Sequence, residues 1–169
     1  MQTGWRSPAG IVGVILLLKN ILFTIIAPGT VAVLVPLTLA ADTSPANRGT
    51  LVIALILFGL GVSVYTWCLW DFASFGRGTP APLDAPRKLV IRGLYRFVRN
   101  PMYLGVLTVI LGWAAFFEAV SLALYAVVVF ACFHTVIRLY EEPHLRREYG
   151  DEYVAYSARA GRWLPRRRH

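Results

Sequence analysis

Four long apolar runs divide the chain, and charged or turn-forming residues flank each of them. The runs cover residues 11–41, 51–70, 101–117 and 119–140 and are nearly free of charge. A helix of about seventeen residues spans roughly 25 Å, close to the thickness of the hydrocarbon core of a bilayer. The pattern predicts an all-α polytopic membrane protein with about four transmembrane helices.

The first apolar run contains residues that interrupt helices, namely Pro28, Gly29 and Pro36. It predicts one kinked helix or a helix followed by a broken segment. We favour a single crossing, because residues 30–41 alone are short for a membrane span. Residues 42–50 then form a turn on the far side, and the second span continues to about residue 75.

The last two runs predict a tight antiparallel hairpin that turns near Glu118. The polar residues that flank the hairpin, at 99–100 and 141–142, then return to one side of the bilayer. Residues 1–75 supply the N-terminal helices, and residues 76–169 supply a loop, the hairpin and a tail of the same structural domain. The charged tail is predicted to form an amphipathic helix on the membrane surface, with its aromatic residues as anchors.

The composition supports a membrane protein, and the distribution of basic residues predicts its orientation in the membrane. The chain is 57% hydrophobic, which does not fit a water-soluble domain. Six Lys and Arg residues lie within 77–99 and eight within 138–168. By the positive-inside rule, the loop, the tail and both termini are cytoplasmic. A nucleic-acid partner is not indicated, since the basic residues flank apolar spans.

The start of the third span predicts an anion-binding helix end. Pro101 suits the first helical position, and Asn100 suits the N-cap, where its side chain accepts from first-turn amides. The free N–H groups and the positive end of the helix dipole there favour a carboxylate or a phosphate.

The end of the fourth span carries two adjacent acids, Glu141 and Glu142. Carboxylates oppose the dipole at a helix C-terminus, so they need a compensating cation such as Arg138. Ionisable groups at membrane depth are functional candidates. Helical spacing predicts that four such residues share one sector: His134, Arg138, Glu141 and Glu142. No metal-ligand spacing occurs, and we expect Cys68 and Cys132 to be small core residues.

The motifs around the hairpin carry a family resemblance. Residues 93–105 read Gly-Leu-Tyr-Arg-Phe-Val-Arg-Asn-Pro-Met-Tyr-Leu-Gly, and the second motif is Glu141-Glu142-x-x-Leu145. With the tail motifs at 149–156 and 162–165, they resemble the superfamily of isoprenylcysteine carboxyl methyltransferases and phospholipid methyltransferases. The resemblance covers about residues 76–165.

The resemblance implies an integral membrane enzyme that uses S-adenosyl-L-methionine and releases S-adenosyl-L-homocysteine. It places the cofactor in a cytoplasmic pocket over the last two spans, with Glu141 near its methionine end. Chemistry supports this arrangement, because Glu141 can pair with the ammonium and Arg99 with the carboxylate of the cofactor. The residues that it implies around the cofactor are Leu89, Val90, Tyr95, Arg99, Asn100, Pro101, Met102, Tyr103 and Glu141. We expect the protein in a bacterial inner membrane.

The methyl acceptor stays open, and we expect a membrane lipid or another lipophilic molecule that enters from the bilayer. Arg138 would orient a carboxylate, whereas Glu142 or His134 would accept the proton of an amine. Prenylcysteine enzymes have a substrate-contacting arginine where this chain has Ile137. The alternatives are an N-methyltransferase of phosphatidylethanolamine type, methylation of a small thiol or amine, and a non-enzymatic transporter subunit or assembly factor.

Overall fold

The computed structural model describes residues 18, 21–45, 47–76 and 89–166, and the regular structure in these ranges is helical. The helices are α1 (Ile21–Leu39), α2 (Arg48–Asp71), α3 (Pro101–Phe117), α4 (Val120–Val136) and α5 (Glu142–Arg159). A π-helical turn, Phe72–Gly76, extends α2, and a 3₁₀ turn, Gly93–Arg96, precedes α3. The start of the first apolar run and the loop at 77–88 lie outside the described residues.

Three of the described helical segments are long and apolar enough to cross a membrane: Ile21–Leu39, Arg48–Ser74 and Val120–Arg159. The fourth, α3, is apolar but has only 17 residues, which is roughly 25 Å of helix. The prediction of an all-α fold with long apolar helices is therefore confirmed for the described residues. The total of four crossings and the membrane-lying tail helix stay predictions.

The α2–α3 pair packs through glycines. A Cβ atom at Gly61 would lie 2.8 Å from the Gly105 carbonyl oxygen, and one at Gly105 would lie 3.0 Å from the Gly61 carbonyl oxygen. The two backbones therefore touch, as small residues allow between membrane helices. Gly59, two residues away, would meet nothing within 4 Å.

The predicted interruption of α1 is a π-helical turn, Thr30–Leu34, followed by Pro36. Proline has no N–H for the carbonyl four or five residues earlier, which leaves the acceptors around Val31 and Ala32 without their usual donor. The Tyr125 hydroxyl donates to the Val31 carbonyl at 2.9 Å, and the Trp113 Nε1 donates to the Ala32 carbonyl at 2.9 Å. Because water cannot satisfy such carbonyls in a bilayer, these two bonds fix α1 against α3 and α4.

The hairpin turns where the sequence predicts, at Glu118. This residue ends α3 in the left-handed conformation, with φ of 48°. Its carboxylate accepts from Asn47 Nδ2 at 2.6 Å and from Thr50 Oγ1 at 2.8 Å. The turn is thereby joined to the start of α2.

A third π-helical turn, Ile137–Glu141, connects α4 to α5, and Pro143 follows it at the same spacing at which Pro36 follows the turn in α1. We call these two proline-followed turns the first and second π turns. A π turn holds more residues than an α turn, so the residues after it are rotated relative to those before it. Within α5 the backbone breaks at Gly150, with φ of 50° and ψ of −127°. The tail therefore folds back instead of continuing as a straight rod.

Candidate functional site

The candidate site lies at the open end of the α3–α4 hairpin, opposite Glu118. Three segments meet there: the start of α3, the junction of the second π turn with α5, and residues 160–166. We call this last segment the C-terminal strap. It follows α5 and lies beside Val98, with which Gly161 forms an isolated parallel bridge.

The Glu142 carboxylate is the electrostatic centre of the site. Arg162 donates to it through Nε at 2.7 Å and through a terminal nitrogen at 2.8 Å, and Arg99 Nη1 lies 3.1 Å away. A carboxylate held by a fork of two parallel N–H groups is geometrically specific. The hydrogen bond to Glu142 raises the pKa of Arg162 further above its usual value.

Backbone contacts hold the C-terminal strap against the start of α3. The Arg99 N–H donates to the Gly161 carbonyl at 2.7 Å, and the Gly161 N–H donates to the Phe97 carbonyl at 3.3 Å. A side chain at Gly161 would collide with the Leu164 carbonyl oxygen, so the strap requires glycine at this position.

Asn100 lies at the N-cap of α3 as predicted, but it does not cap the helix through its side chain. Its Nδ2 donates instead to the Arg162 carbonyl at 3.0 Å. The predicted hydrogen bond to first-turn amides is therefore wrong, because the strap offers the side chain a competing acceptor. Pro101 follows as the first helical residue and is buried, so the first-turn amides of α3 have no side-chain cap from Asn100.

The other acid, Glu141, pairs with α3. The Tyr103 hydroxyl donates to the Glu141 carboxylate in a short hydrogen bond, and both side chains are half-buried. The Tyr103 ring packs on Phe133 of α4, with ring centroids 4.4 Å apart. The two adjacent acids thus have different partners, a phenol for Glu141 and two guanidinium groups for Glu142.

Neither His134 nor Arg138 pairs with Glu141 or Glu142 among the described residues. The Nδ1 of His134 accepts a hydrogen bond from Trp163 Nε1 at 3.1 Å, so the histidine holds the strap. Arg138 is exposed, whereas its neighbour Ile137 is 1% exposed. The predicted single sector stays a prediction, but the cations that compensate Glu142 are Arg99 and Arg162 rather than Arg138.

Apolar residues form a wall beside the charged groups. Val90 and Tyr95 are buried in a cluster with Cys68, and Met102 packs against it. Burial raises the pKa of Tyr95. Leu89 packs instead against Tyr153 and Tyr156, whose buried side chains form a tyrosine face of α5 that is directed at the protein.

Sequence reasoning missed Arg162 and Tyr153 as members of the site. The Tyr153 hydroxyl accepts from Arg99 Nη1 at 3.2 Å, and Tyr156 donates to the Tyr95 carbonyl at 2.8 Å. Helical spacing marks both tyrosines as one face but does not indicate what that face contacts. In the part of the chain that the structure describes, no three His, Cys, Asp or Glu residues cluster as a metal site would require.

The fold and the site define an all-helical membrane protein with a charged cluster at the open end of a helical hairpin. The profile of the phospholipid methyltransferase family matches residues 50–152, which is more than half of the chain. The chain belongs to the phospholipid methyltransferase family, and the predicted superfamily is thereby confirmed. No curated protein matches the chain.

Proposed function

We propose that the chain transfers a methyl group from S-adenosyl-L-methionine to a lipophilic acceptor that enters from the bilayer. The observation that carries the proposal is the state of Arg99, which lies beside the start of α3 and is half-buried, with its Nε inaccessible to solvent. Its Nη1 contacts Glu142 and Tyr153, but its Nε has no hydrogen-bond partner among the described residues. A buried donor without an acceptor is costly, and a carboxylate is the acceptor that a guanidinium binds best.

The residues fit the two ends of such a cofactor. Arg99 Nε and the first-turn amides of α3 would hold its carboxylate, since both present N–H groups and positive potential. Glu141 would pair with its ammonium group, while Tyr103 keeps that carboxylate oriented. The family that matches residues 50–152 is a methyltransferase family, which agrees with this donor set.

The rest of the predicted pocket would surround the adenine and exclude water. Val90, Tyr95 and Met102 form an apolar wall, the buried Pro101 begins α3, and Leu89 lies on the tyrosine face of α5. Asn100 would act indirectly, because its side chain holds the strap.

The chemistry then requires little from the protein beyond orientation and exclusion of water. When bound, S-adenosyl-L-methionine supplies a methyl group that its sulfonium already activates for in-line displacement. Glu142 would fix Arg99 and Arg162 together, which closes the strap over the site. Tyr103 and Glu141 would remain hydrogen-bonded, so neither needs to reorganise during transfer.

Arg138 and His134 are the candidate residues for the acceptor side of the proposal. Arg138 is exposed one residue after the buried Ile137 and would orient an anionic acceptor. His134 holds Trp163 through Nδ1, which leaves Nε2 for another contact. An isoprenylcysteine-type carboxylate would accept from Arg138 and from the Nε2–H of His134, whereas for a phospholipid amine or a small thiol or amine the proton acceptor would be Glu142. We further propose a bacterial inner membrane, with the site and both termini in the cytoplasm.

Calorimetric titration of the detergent-purified protein with S-adenosyl-L-homocysteine tests the cofactor proposal. We expect saturable binding, with a loss of about tenfold or more in affinity for Glu141→Ala, as removal of a charge-assisted hydrogen bond predicts. Glu152→Gln, an exposed acid on α5, is the matched control and should bind normally. Absence of binding, or equal binding by wild type and Glu141→Ala, would overturn the proposal.

Incubation of the protein with lipid extracts and methyl-labelled cofactor then tests the acceptor. Label in the lipid phase supports a lipophilic acceptor, and its stability to mild base separates an amine from a carboxylate ester. Label that is found only in soluble thiols or amines contradicts the lipid acceptor and leaves the cofactor proposal intact.

A further inference from the structure

The two arginines that share the Glu142 carboxylate use different edges of their guanidinium groups. Arg162 donates through Nε at 2.7 Å and through a terminal nitrogen at 2.8 Å, so one carboxylate fills its fork. Arg99 uses Nη1 instead, which lies 3.1 Å from Glu142 and donates to the Tyr153 hydroxyl at 3.2 Å. The Nε of Arg99 has no hydrogen-bond partner among the described residues. The edge that is filled in Arg162 therefore lacks an acceptor at Nε in Arg99.

Tyr153 is the second group that fixes Arg99 Nη1. Its side chain is 2% exposed, and its ring lies edge-on to Tyr156, with ring centroids 6.2 Å apart. The Tyr156 hydroxyl donates to the Tyr95 carbonyl at 2.8 Å, which attaches this pair of rings to the segment before α3. A buried ring has few accessible rotamers, so its hydroxyl stays in one place. Because Nη1 is held both by this hydroxyl and by Glu142, the plane of the guanidinium group is oriented.

A phenol holds the arginine without neutralising it. Glu142 carries one negative charge and contacts two guanidinium groups, so the three side chains together keep a net positive charge. Tyr153 adds no charge, because a phenol is protonated at neutral pH. An acid at this position would also hold Nη1, but it would cancel the remaining positive charge. The contact with Tyr153 therefore leaves Arg99 able to attract an anion.

Tertiary structure brings Tyr153 to this position. Three residues earlier the backbone breaks at Gly150, with φ of 50° and ψ of −127°, and the part of α5 that follows packs against the start of α3. The family profile matches residues 50–152 and ends one residue before this tyrosine. The family match therefore assigns no role to Tyr153.

We propose that Tyr153 is a positioning residue, which holds Arg99 Nη1 together with Glu142 so that Arg99 Nε presents to the carboxylate of the cofactor. This inference rests on the proposed function, because it takes the cofactor carboxylate as the anion that Arg99 binds. Tyr153 acts through Arg99 and makes no contact of its own with the cofactor.

Calorimetric titration of the detergent-purified full chain with two ligands tests this role. The ligands are S-adenosyl-L-homocysteine and its decarboxylated form, which keeps the adenosine and the ammonium group. We expect wild type to bind the first about tenfold or more tightly, as a charge-assisted hydrogen bond predicts. Tyr153→Phe keeps the buried ring and removes the hydroxyl, so it should lower this preference about threefold or more. Tyr156→Phe is the matched control and should keep the preference, since its hydroxyl donates to Tyr95 and not to Arg99.

A double-mutant cycle with Arg99 separates positioning from a general loss of structure. Arg99→Lys keeps the charge and removes the fork, so it should lower the preference by itself. In that background Tyr153→Phe should lower the preference no further, because the group that it orients is gone. Additive effects on the preference would overturn the positioning role. Arg99→Lys also covers the case in which Tyr153→Phe does not fold, since an unchanged preference in Arg99→Lys contradicts the inference.

The two ligands also distinguish failure of this inference from failure of the proposed function. If wild type binds neither ligand, the proposed function is overturned and the inference with it. If wild type binds both but shows no preference, or if Tyr153→Phe keeps the wild-type preference, only the positioning role is overturned. An equal fall of both affinities in Tyr153→Phe has the same meaning, because loosening of the whole site would not depend on the carboxylate.

Discussion

Arg162 lies within hydrogen-bond distance of Glu142, twenty residues before it, although Glu142 begins the 18-residue helix α5 and Arg162 lies beyond its other end. A straight helix of that length would place its ends about 27 Å apart, beyond the reach of an arginine side chain. The break at Gly150 resolves this, because it reverses the chain and brings the strap back to the start of α5. The ion pair at the site thus depends on one glycine eight residues away from Glu142.

Gly150→Ala should therefore loosen the strap. The φ and ψ values of Gly150 are inaccessible to L-residues without strain of roughly 1–3 kcal/mol, although no neighbouring atom would clash. We expect faster amide exchange in residues 160–166 and a lower melting temperature in detergent. Asp151→Ala, at the exposed neighbouring position, is the control. Equal exchange in the strap of wild type and Gly150→Ala would contradict this account.

Glu142→Gln should weaken the contact between the start of α5 and the strap by removing a charge. The substitution keeps the shape of the side chain but removes the charge that holds Arg162 and Arg99, at a cost of about 1–3 kcal/mol for charge-assisted bonds. Thermal melting in detergent measures the loss, and Glu148→Gln on the exposed side of α5 should leave stability unchanged. A Glu142→Gln protein as stable as wild type would show that the pair contributes nothing.

The α2–α3 crossing gives a matched pair of glycines. Gly61→Ala inserts a methyl group 2.7 Å from Val109 and 2.8 Å from the Gly105 carbonyl oxygen, and such overpacking costs about 1–3 kcal/mol. Gly59→Ala meets open space and should leave the stability unchanged or raise it slightly. The difference between the two melting temperatures is the measurement. Similar values for both variants would mean that the helices do not touch at Gly61.

Removing a side chain that donates to the π turn in α1 should lower the stability of the protein. Tyr125→Phe removes the hydroxyl that satisfies the Val31 carbonyl, which should cost about 1 kcal/mol inside a membrane. Tyr140→Phe, at an exposed tyrosine of the second π turn, is the control. If Pro36 is what frees the carbonyls, Tyr125→Phe should cost less stability in a Pro36→Ala background than in the wild type. A double-mutant cycle by thermal melting measures this coupling between Pro36 and Tyr125. Additive effects would assign the free carbonyl to another cause.

The elements that the sequence predicts well are those that local rules determine. Apolar length indicates the spans, Glu118 follows the third span as a polar turn, and Pro36 indicates the interruption of α1. The second π turn was not predicted, although Pro143 follows it as Pro36 follows the first. Helical spacing predicts Arg138 as the cation beside the two acids, whereas in the structure Arg99 and Arg162 contact Glu142.

The sequence by itself determined an all-α membrane protein of this family, because a bilayer demands long apolar helices and the family motifs are local. It also indicated which short segments carry the polar residues. Only the tertiary structure decided the partners: Arg162 and Arg99 for Glu142, Tyr103 for Glu141, Trp163 for His134, and none among the described residues for the Oδ2 of Asp71. These pairings depend on chain reversals and π turns that rotate side chains, and pairs so distant in the chain leave no periodic signal in the sequence.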